Sequence, residues 1–134
     1  MRAVIDTNVV FEGVTAKGGA AGMVIDAWIR GEFEPCVSTT LAYEYRDVLA
    51  RKLGNDRWII IRPMLIAMFR QAVVVDIFFT WRPASPDRGD DHVIDCAMNA
   101  NAPIVTENVR DFKLAQRSLG MAVMTPAEFL ARLR

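Results

Sequence analysis

Short runs of β-branched and small apolar residues alternate along the chain with stretches in which apolar side chains recur at three- and four-residue spacing. Ala3-Val4-Ile5 is such a run and predicts a short buried strand. After Gly18-Gly19 a helical pattern puts Met23, Ala27 and Trp28 on one face, and Gly31 ends it. Residues 33–37 predict a second strand. Ser38, Thr39 and Thr40 then offer N-caps for a helix to about Lys52, with Leu41, Tyr45, Val48 and Leu49 inward. The apolar region 55–72 predicts a helical hairpin whose second helix starts at Pro63, because proline in a helix interior removes a backbone donor. Val73-Val74-Val75 predicts a third strand, followed by a loop carrying Pro83, Pro86 and Gly89 and by a helix from about Asp90 to Ala100. Residues 103–106 and 121–124 predict the fourth and fifth strands. Thr125-Pro126-Ala127-Glu128 supplies an N-cap, a first-turn proline and a capping-box glutamate for a terminal helix.

Strands alternating with helices imply the α/β class with a parallel sheet. The 134 residues suit a single domain spanning 1–134, with neither repeat nor linker to divide it. Apolar residues make up 52% of the chain and charged residues 24%, which excludes a disordered chain. Sixteen basic and 16 acidic residues cancel, so no global positive field marks a nucleic-acid partner, although 13 of the basic residues are arginine, the better planar phosphate ligand. Cys36 and Cys96 lack a CxxC partner and sit in apolar stretches, as buried free thiols of a reducing compartment do. The apolar run before Asp6 is too short for a signal peptide, and the longest apolar stretch, Trp58 to Phe69, is interrupted by Arg62 and Pro63; a cytoplasmic protein without membrane contact is expected.

Four acids fall where this topology would gather them: Asp6 at the end of the first strand, Glu44 early in the helix after the second, Asp91 at the head of the helix before the fourth, and Asp111 just beyond the fourth. Ligand sites of open α/β sheets lie outside the carboxyl ends of the strands. Two such charges about 5 Å apart at an effective dielectric near 20 repel by roughly 3 kcal/mol, so a cluster requires a cation. Oxygen ligands without matched His or Cys point to Mg²⁺ or Mn²⁺ rather than zinc. Singly, Glu44 is a good helix former, Asp91 complements a helix dipole and Asp111 could cap a short helix. Asp6 resists such an explanation, since packing asks for no charge at a buried strand end. Asp95, one turn after Asp91, is a possible further site residue; Asp87 and Asp90 are expected to face solvent or cap the helix, and Asp47 to pair with Arg51.

Asp6-Thr7-Asn8 after the first strand, Glu44, the segment Asp90-Asp91-His92-Val93-Ile94-Asp95-Cys96-Ala97, and Val105-Thr106-Glu107-Asn108-Val109-Arg110-Asp111-Phe112 together resemble the PIN domain family. The likeness spans essentially the whole chain, and with Met124 to Leu130 it is similar to the VapC-type toxin ribonucleases of type II toxin–antitoxin systems. The resemblance implies a three-layer α/β/α sandwich with a central parallel sheet of four to five strands, dependence on Mg²⁺ or Mn²⁺, and endonucleolytic cleavage of RNA. It assigns Asp6, Glu44, Asp91 and Asp111 as catalytic metal ligands and Asn8, Thr106 and Asn108 as their supports. Asp95 departs from the small apolar residue of many relatives, and the region with Trp58 to Pro63 maps onto no family motif.

For substrate contact, Lys17, Arg46, Arg82 and Arg88 are the candidate cations, while Tyr43 and Trp81 are either base-stacking or packing residues, packing being favoured. The implied partners are an RNA substrate, a small antitoxin and a second copy of the chain in a homodimer, for which apolar surface along the second helix and residues 58–69 is suited. Two rival readings carry less weight: a noncatalytic PIN-like binding module, and a phosphohydrolase with Asp6 as covalent nucleophile. The latter usually needs a second acid where Asn8 stands.

Overall fold

A computed structural model describes residues 1–16, 18–82 and 88–134, with Arg88 and Gly89 described by their backbone only. Lys17 and the loop expected to carry Pro83 and Pro86 lie outside the described residues, as does Asp87; nothing is said of the Arg88 side chain. Five parallel strands, β1 (Arg2–Ile5), β2 (Glu34–Val37), β3 (Val73–Val74), β4 (Ile104–Val105) and β5 (Val123–Met124), form one sheet in the order β3-β2-β1-β4-β5. The order runs one way from β1 through β2 to β3 and the other way through β4 to β5. Right-handed crossovers therefore place the helices that follow β1 and β2 on one face and those preceding β4 and β5 on the other. The α/β sandwich around a parallel sheet that the resemblance implied is the fold observed, with five strands.

The crossover from β1 to β2 contains α1 (Thr7–Thr15) and α2 (Ala20–Ile29). Helix α1 was not expected, because Thr-Asn-Val-Val-Phe-Glu-Gly-Val-Thr is rich in β-branched residues of low helix propensity; it is held by burying Val9, Val10 and Val14. Gly13 makes its packing possible, since a Cβ there would sit 2.3 Å from Ile25 Cγ1 and 2.7 Å from the Ala21 carbonyl oxygen. Met23, grouped by spacing with Ala27 and Trp28, is 47% exposed; the buried face of α2 is made by Ala21, Val24, Ile25, Ala27 and Trp28.

Helix α3 (Thr39–Gln71) begins at the Ser38 cap, whose hydroxyl accepts from the Leu41 N–H at 3.2 Å. Leu41, Tyr45 and Leu49 are buried as expected and Val48 is half-buried. The break in this region comes at Gly54 (φ 74°, ψ 167°), a conformation essentially reserved for glycine, and not at Pro63. Pro63 lies exposed inside the helical segment that follows Gly54, so the expected second start at Pro63 is corrected to Gly54, and α3 is two helical segments joined across a kink there. Beyond the kink, Leu65 and Met68 face the core while Ile59, Ile60 and Ile66 are exposed. The Trp28 indole N–H donates to the Met68 carbonyl at 2.8 Å, tying this half of α3 to α2.

Helix α4 (Arg88–Ala100) starts two residues earlier than expected and so takes in Gly89. A 3₁₀ turn (Val109–Phe112) runs into α5 (Lys113–Leu119), in the stretch where a short helix after Asn108 was expected, and α6 (Pro126–Leu133) opens on the expected capping box. In that box the Thr125 hydroxyl accepts from the Glu128 N–H at 3.1 Å while the Glu128 carboxylate accepts from the Thr125 N–H at 3.0 Å. Cys36 and Cys96 are buried free thiols, and the Cys96 Sγ–H donates to the Cys36 carbonyl at 3.5 Å.

Candidate metal centre

Sheet register builds the site. Ile5 of β1 pairs with Val105 of β4, so the next residues, Asp6 and Thr106, emerge side by side where the strand order reverses. Such a switch point leaves a crevice at the carboxyl edge of an open sheet. The Thr106 hydroxyl, fully buried, donates to Asp6 Oδ2 at 2.7 Å, and Thr106 Oγ1 in turn accepts from the Asn108 N–H at 3.0 Å. Asp6 is the N-cap residue of α1, though its side chain makes no capping hydrogen bond. Burial raises its carboxyl above the ordinary range; the hydrogen bond from Thr106 and the Thr7 and Asn8 N–H groups oppose this, and the nearby Asp111 charge adds to it.

Helix α3 brings the second acid. The Tyr45 hydroxyl is buried and donates to the Ile5 carbonyl, which fixes the helix against the end of β1. Glu44, its neighbour, accepts at Oε2 from the Thr7 hydroxyl at 2.7 Å. Asp6, Thr7, Asn8, Glu44, Val48, Arg51, Lys52 and Asp90 line one cleft of about 230 Å³.

Asp90 therefore does not simply face solvent or cap α4, as expected; it is half-buried and shares the cleft with Asp6 and Glu44. Its signal was present in the chain: Asp90, Val93, Ile94 and Ala97 follow the i, i+3, i+4, i+7 spacing of one helix face, and the three apolar members are buried. Asp91 belongs to another face. Its Oδ2 lies 3.3 Å from Arg82 Nε, and its Oδ1 is buried with no hydrogen-bond partner among the described residues. Asp95 receives both Arg82 Nη groups, at 2.8 and 2.7 Å.

Asp111 is exposed on the 3₁₀ turn, near enough to Asp6 for its charge to be felt there, and Asn8 is an exposed residue of the cleft. Arg46 does not line the cleft: it pairs with Asp47 at 3.3 Å, which leaves Arg51 free of the expected partnership with Asp47, and it covers the Tyr43 ring at 4.9 Å. Trp81 is half-buried against the core. Among the described residues the cleft's cations are Arg51 and Lys52, which sequence reasoning passed over as site residues; they lie seven and eight residues after Glu44, two helical turns along the same side.

Among the described residues, no three Asp, Glu, His or Cys side chains converge on one point as ligands of a common ion. Each carboxylate is engaged by its own neighbour instead, Asp6 by Thr106, Glu44 by Thr7, and Asp91 and Asp95 by Arg82. The donor set still fits a hard divalent cation. It consists of carboxylate oxygens, three of the acids lining one cleft, and Asp91 Oδ1 is a buried carboxylate oxygen without a hydrogen-bond partner among the described residues.

The sequence profile of the PIN domain matches residues 2–110. No curated protein sequence matches the chain. Among solved structures, the chain is similar to one of VapBC2 from Rickettsia felis bound to a promoter DNA fragment, at 12% identity and a TM-score of 0.67, covering 93% of this chain and 98% of that one. It is also similar to FitAcB from Neisseria gonorrhoeae, at 16% identity and a TM-score of 0.62, with coverage of 93% and 98%. PAE2754 from Pyrobaculum aerophilum is similar at 18% identity and a TM-score of 0.61, with coverage of 99% and 89%.

Proposed function

Because the chain belongs to the PIN domain family, we propose that it is a metal-dependent endoribonuclease and the toxin component of a type II toxin–antitoxin pair. The observation that carries this reading is the set of carboxylates at the carboxyl edge of β1: buried Asp6, with Glu44 and Asp90 in the same cleft. Asp6, Glu44 and the Asp90–Asp91 pair would hold Mg²⁺ or Mn²⁺, with Asp111 as a further ligand. Bound there, such an ion supplies a water of lowered pKa and charge stabilisation at the scissile phosphate. Thr106 holds Asp6 in orientation through its hydroxyl, and Thr7 does the same for Glu44. Asn8 and Asn108 complete the polar surround. Arg51 and Lys52 line the same cleft and are the cations to meet an RNA phosphate there, while Arg82 precedes α4 and Arg88 is its first residue.

Cleavage of a fluorescent RNA in Mn²⁺, abolished by EDTA and by Asp6→Asn, is the expected result. Asp6→Asn cutting at the wild-type rate would sink the assignment. One observation favours the noncatalytic binding module instead, namely that no three carboxylates converge among the described residues. That reading requires calorimetry to find no Mn²⁺ binding.

The likeness to the VapBC2 and FitAcB structures supports an antitoxin partner. Ile59, Ile60 and Ile66, 68%, 74% and 41% exposed on the far half of α3, suit either that partner or a homodimer. Light scattering that finds a monomer at high concentration would remove the homodimer. Among the described residues no helix is long and apolar enough to cross a membrane, and a cytoplasmic site of action is part of the same proposal.

A further inference from the structure

Helix α4 carries a second line of polar residues beside its cleft face: Asp91, Asp95 and Asn99, four residues apart and so on one side of the helix. The segment before α4 is strapped to this line. Asn99 Oδ1 accepts from the Phe78 N–H at 2.9 Å, and its Nδ2 donates to the Phe79 carbonyl at 2.9 Å. Arg82 makes the next attachment, with its two Nη groups forked onto Asp95 and its Nε beside Asp91 Oδ2. The fork is set against a nearly buried anchor, since the Asp95 side chain is only 7% exposed and that of Asp91 12%, whereas Arg82 is 43% exposed.

We propose that Arg82 is a positioning residue of the metal centre: oriented by Asp95, it holds Asp91 by one oxygen and leaves the other, Oδ1, as a ligand for the divalent ion. The proposal rests on the metal-site reading above. A carboxylate with one oxygen pinned by a rigid planar donor has its remaining lone pairs fixed in direction, as partners of metal-ligating carboxylates generally do. Among the described residues Asp91 Oδ1 is the buried side-chain oxygen without a partner, and its mate is the one that Arg82 holds. Asp95 thereby acquires a role distinct from ligation: it orients the guanidinium.

The sign of the effect separates positioning from charge. On charge alone, removing a cation from beside the ligands would tighten binding of a divalent ion. If Arg82 works by orienting Asp91, its removal weakens binding. Mn²⁺ titrations followed by calorimetry or electron paramagnetic resonance, on proteins shown to be folded, are expected to give a Kd roughly tenfold higher for Arg82→Ala than for wild type, about 1.4 kcal/mol. Arg82→Lys, which keeps the charge without the fork, is expected to shift the same way. In an Asp91→Asn background, Arg82→Ala is expected to change the Kd by less than about twofold. An unchanged or lower Kd for Arg82→Ala overturns the proposal, as does a penalty that persists undiminished without the Asp91 carboxylate. Should Arg82→Ala not fold, Asp95→Asn tests the same link by releasing the guanidinium from its anchor, with the same expected rise and the same refuting results. Wild-type protein that binds no Mn²⁺ at all would remove the metal-site reading itself, whereas binding lost in Asp6→Asn but indifferent to Arg82 would remove only the role given to Arg82.

Discussion

Thr106→Val removes one hydroxyl and leaves the shape of the side chain nearly unchanged; it deletes both the bond accepted from the Asn108 N–H, which carries no charge dependence, and the bond donated to Asp6, which the pH dependence isolates. That bond is 2.7 Å long, its acceptor is a residue only 3% exposed, and its donor is fully buried. Hydrogen bonds to charged groups contribute about 1.5 to 3 kcal/mol, and at neutral pH a loss of about 2 kcal/mol is expected. The loss should depend on pH. Burial raises the folded pKa of Asp6 above the ordinary 3.8, while Thr106 is the largest influence lowering it. A carboxyl with a raised folded pKa favours the folded state below 3.8, and this contribution disappears as pH rises through the folded value. Without Thr106 the folded pKa lies higher still, so the variant's deficit grows with pH across that window and is smallest at its acid end. Urea denaturation of both proteins in EDTA, at pH 7.5 and at the lowest pH where the fold survives, measures the two deficits. Deficits equal within about 0.5 kcal/mol at the two pH values would refute the reasoning, because the bond would then be indifferent to the charge on Asp6.

Asp90→Asn is expected to slow Mn²⁺-dependent RNA cleavage by more than the roughly 10- to 100-fold that losing a ligand's partner costs, measured in a continuous fluorescence assay; a variant within threefold of wild type would return Asp90 to a capping role. Gly13→Ala should cost about 1 to 3 kcal/mol by denaturant titration, because the added Cβ meets the Ala21 carbonyl oxygen at 2.7 Å, and backbone has nowhere to rotate. Burial pushes the Cys96 thiol up to about 12, so iodoacetamide at pH 8 should leave it unmodified in the folded protein and label it promptly in urea; labelling of native Cys96 within minutes would contradict its burial.

The strands were legible because buried parallel strands are short apolar runs, and Ala3-Val4-Ile5 and Ile104-Val105 can hardly be anything else. What the pattern hid was helix made from strand-like residues, as in α1, where tertiary burial of Val9, Val10 and Val14 overrides propensity. Proline misled in the opposite direction. Pro63 looked like a start signal, but the chain turns at Gly54, whose positive φ no apolar periodicity records, while Pro63 sits exposed inside the helical segment that follows.

The acids show the same limit at finer scale. Asp6 was legible alone, because a charge closing a buried strand has no packing explanation, and sheet register then makes Thr106 its neighbour. Asp90 and Asp91 are adjacent in sequence, yet successive residues on a helix point about 100° apart, so they cannot serve one surface equally. Counting forward from each resolves them: three, four and seven residues after Asp90 stand Val93, Ile94 and Ala97, all buried, whereas four and eight after Asp91 stand Asp95 and Asn99, both bonded to the segment that precedes α4. One carboxylate thus lines the cleft and the other, on the next face of α4, is paired with Arg82. Two consecutive acids at the head of a helix can then shape one centre from two sides, and substitution of either should be felt in metal binding by a different route.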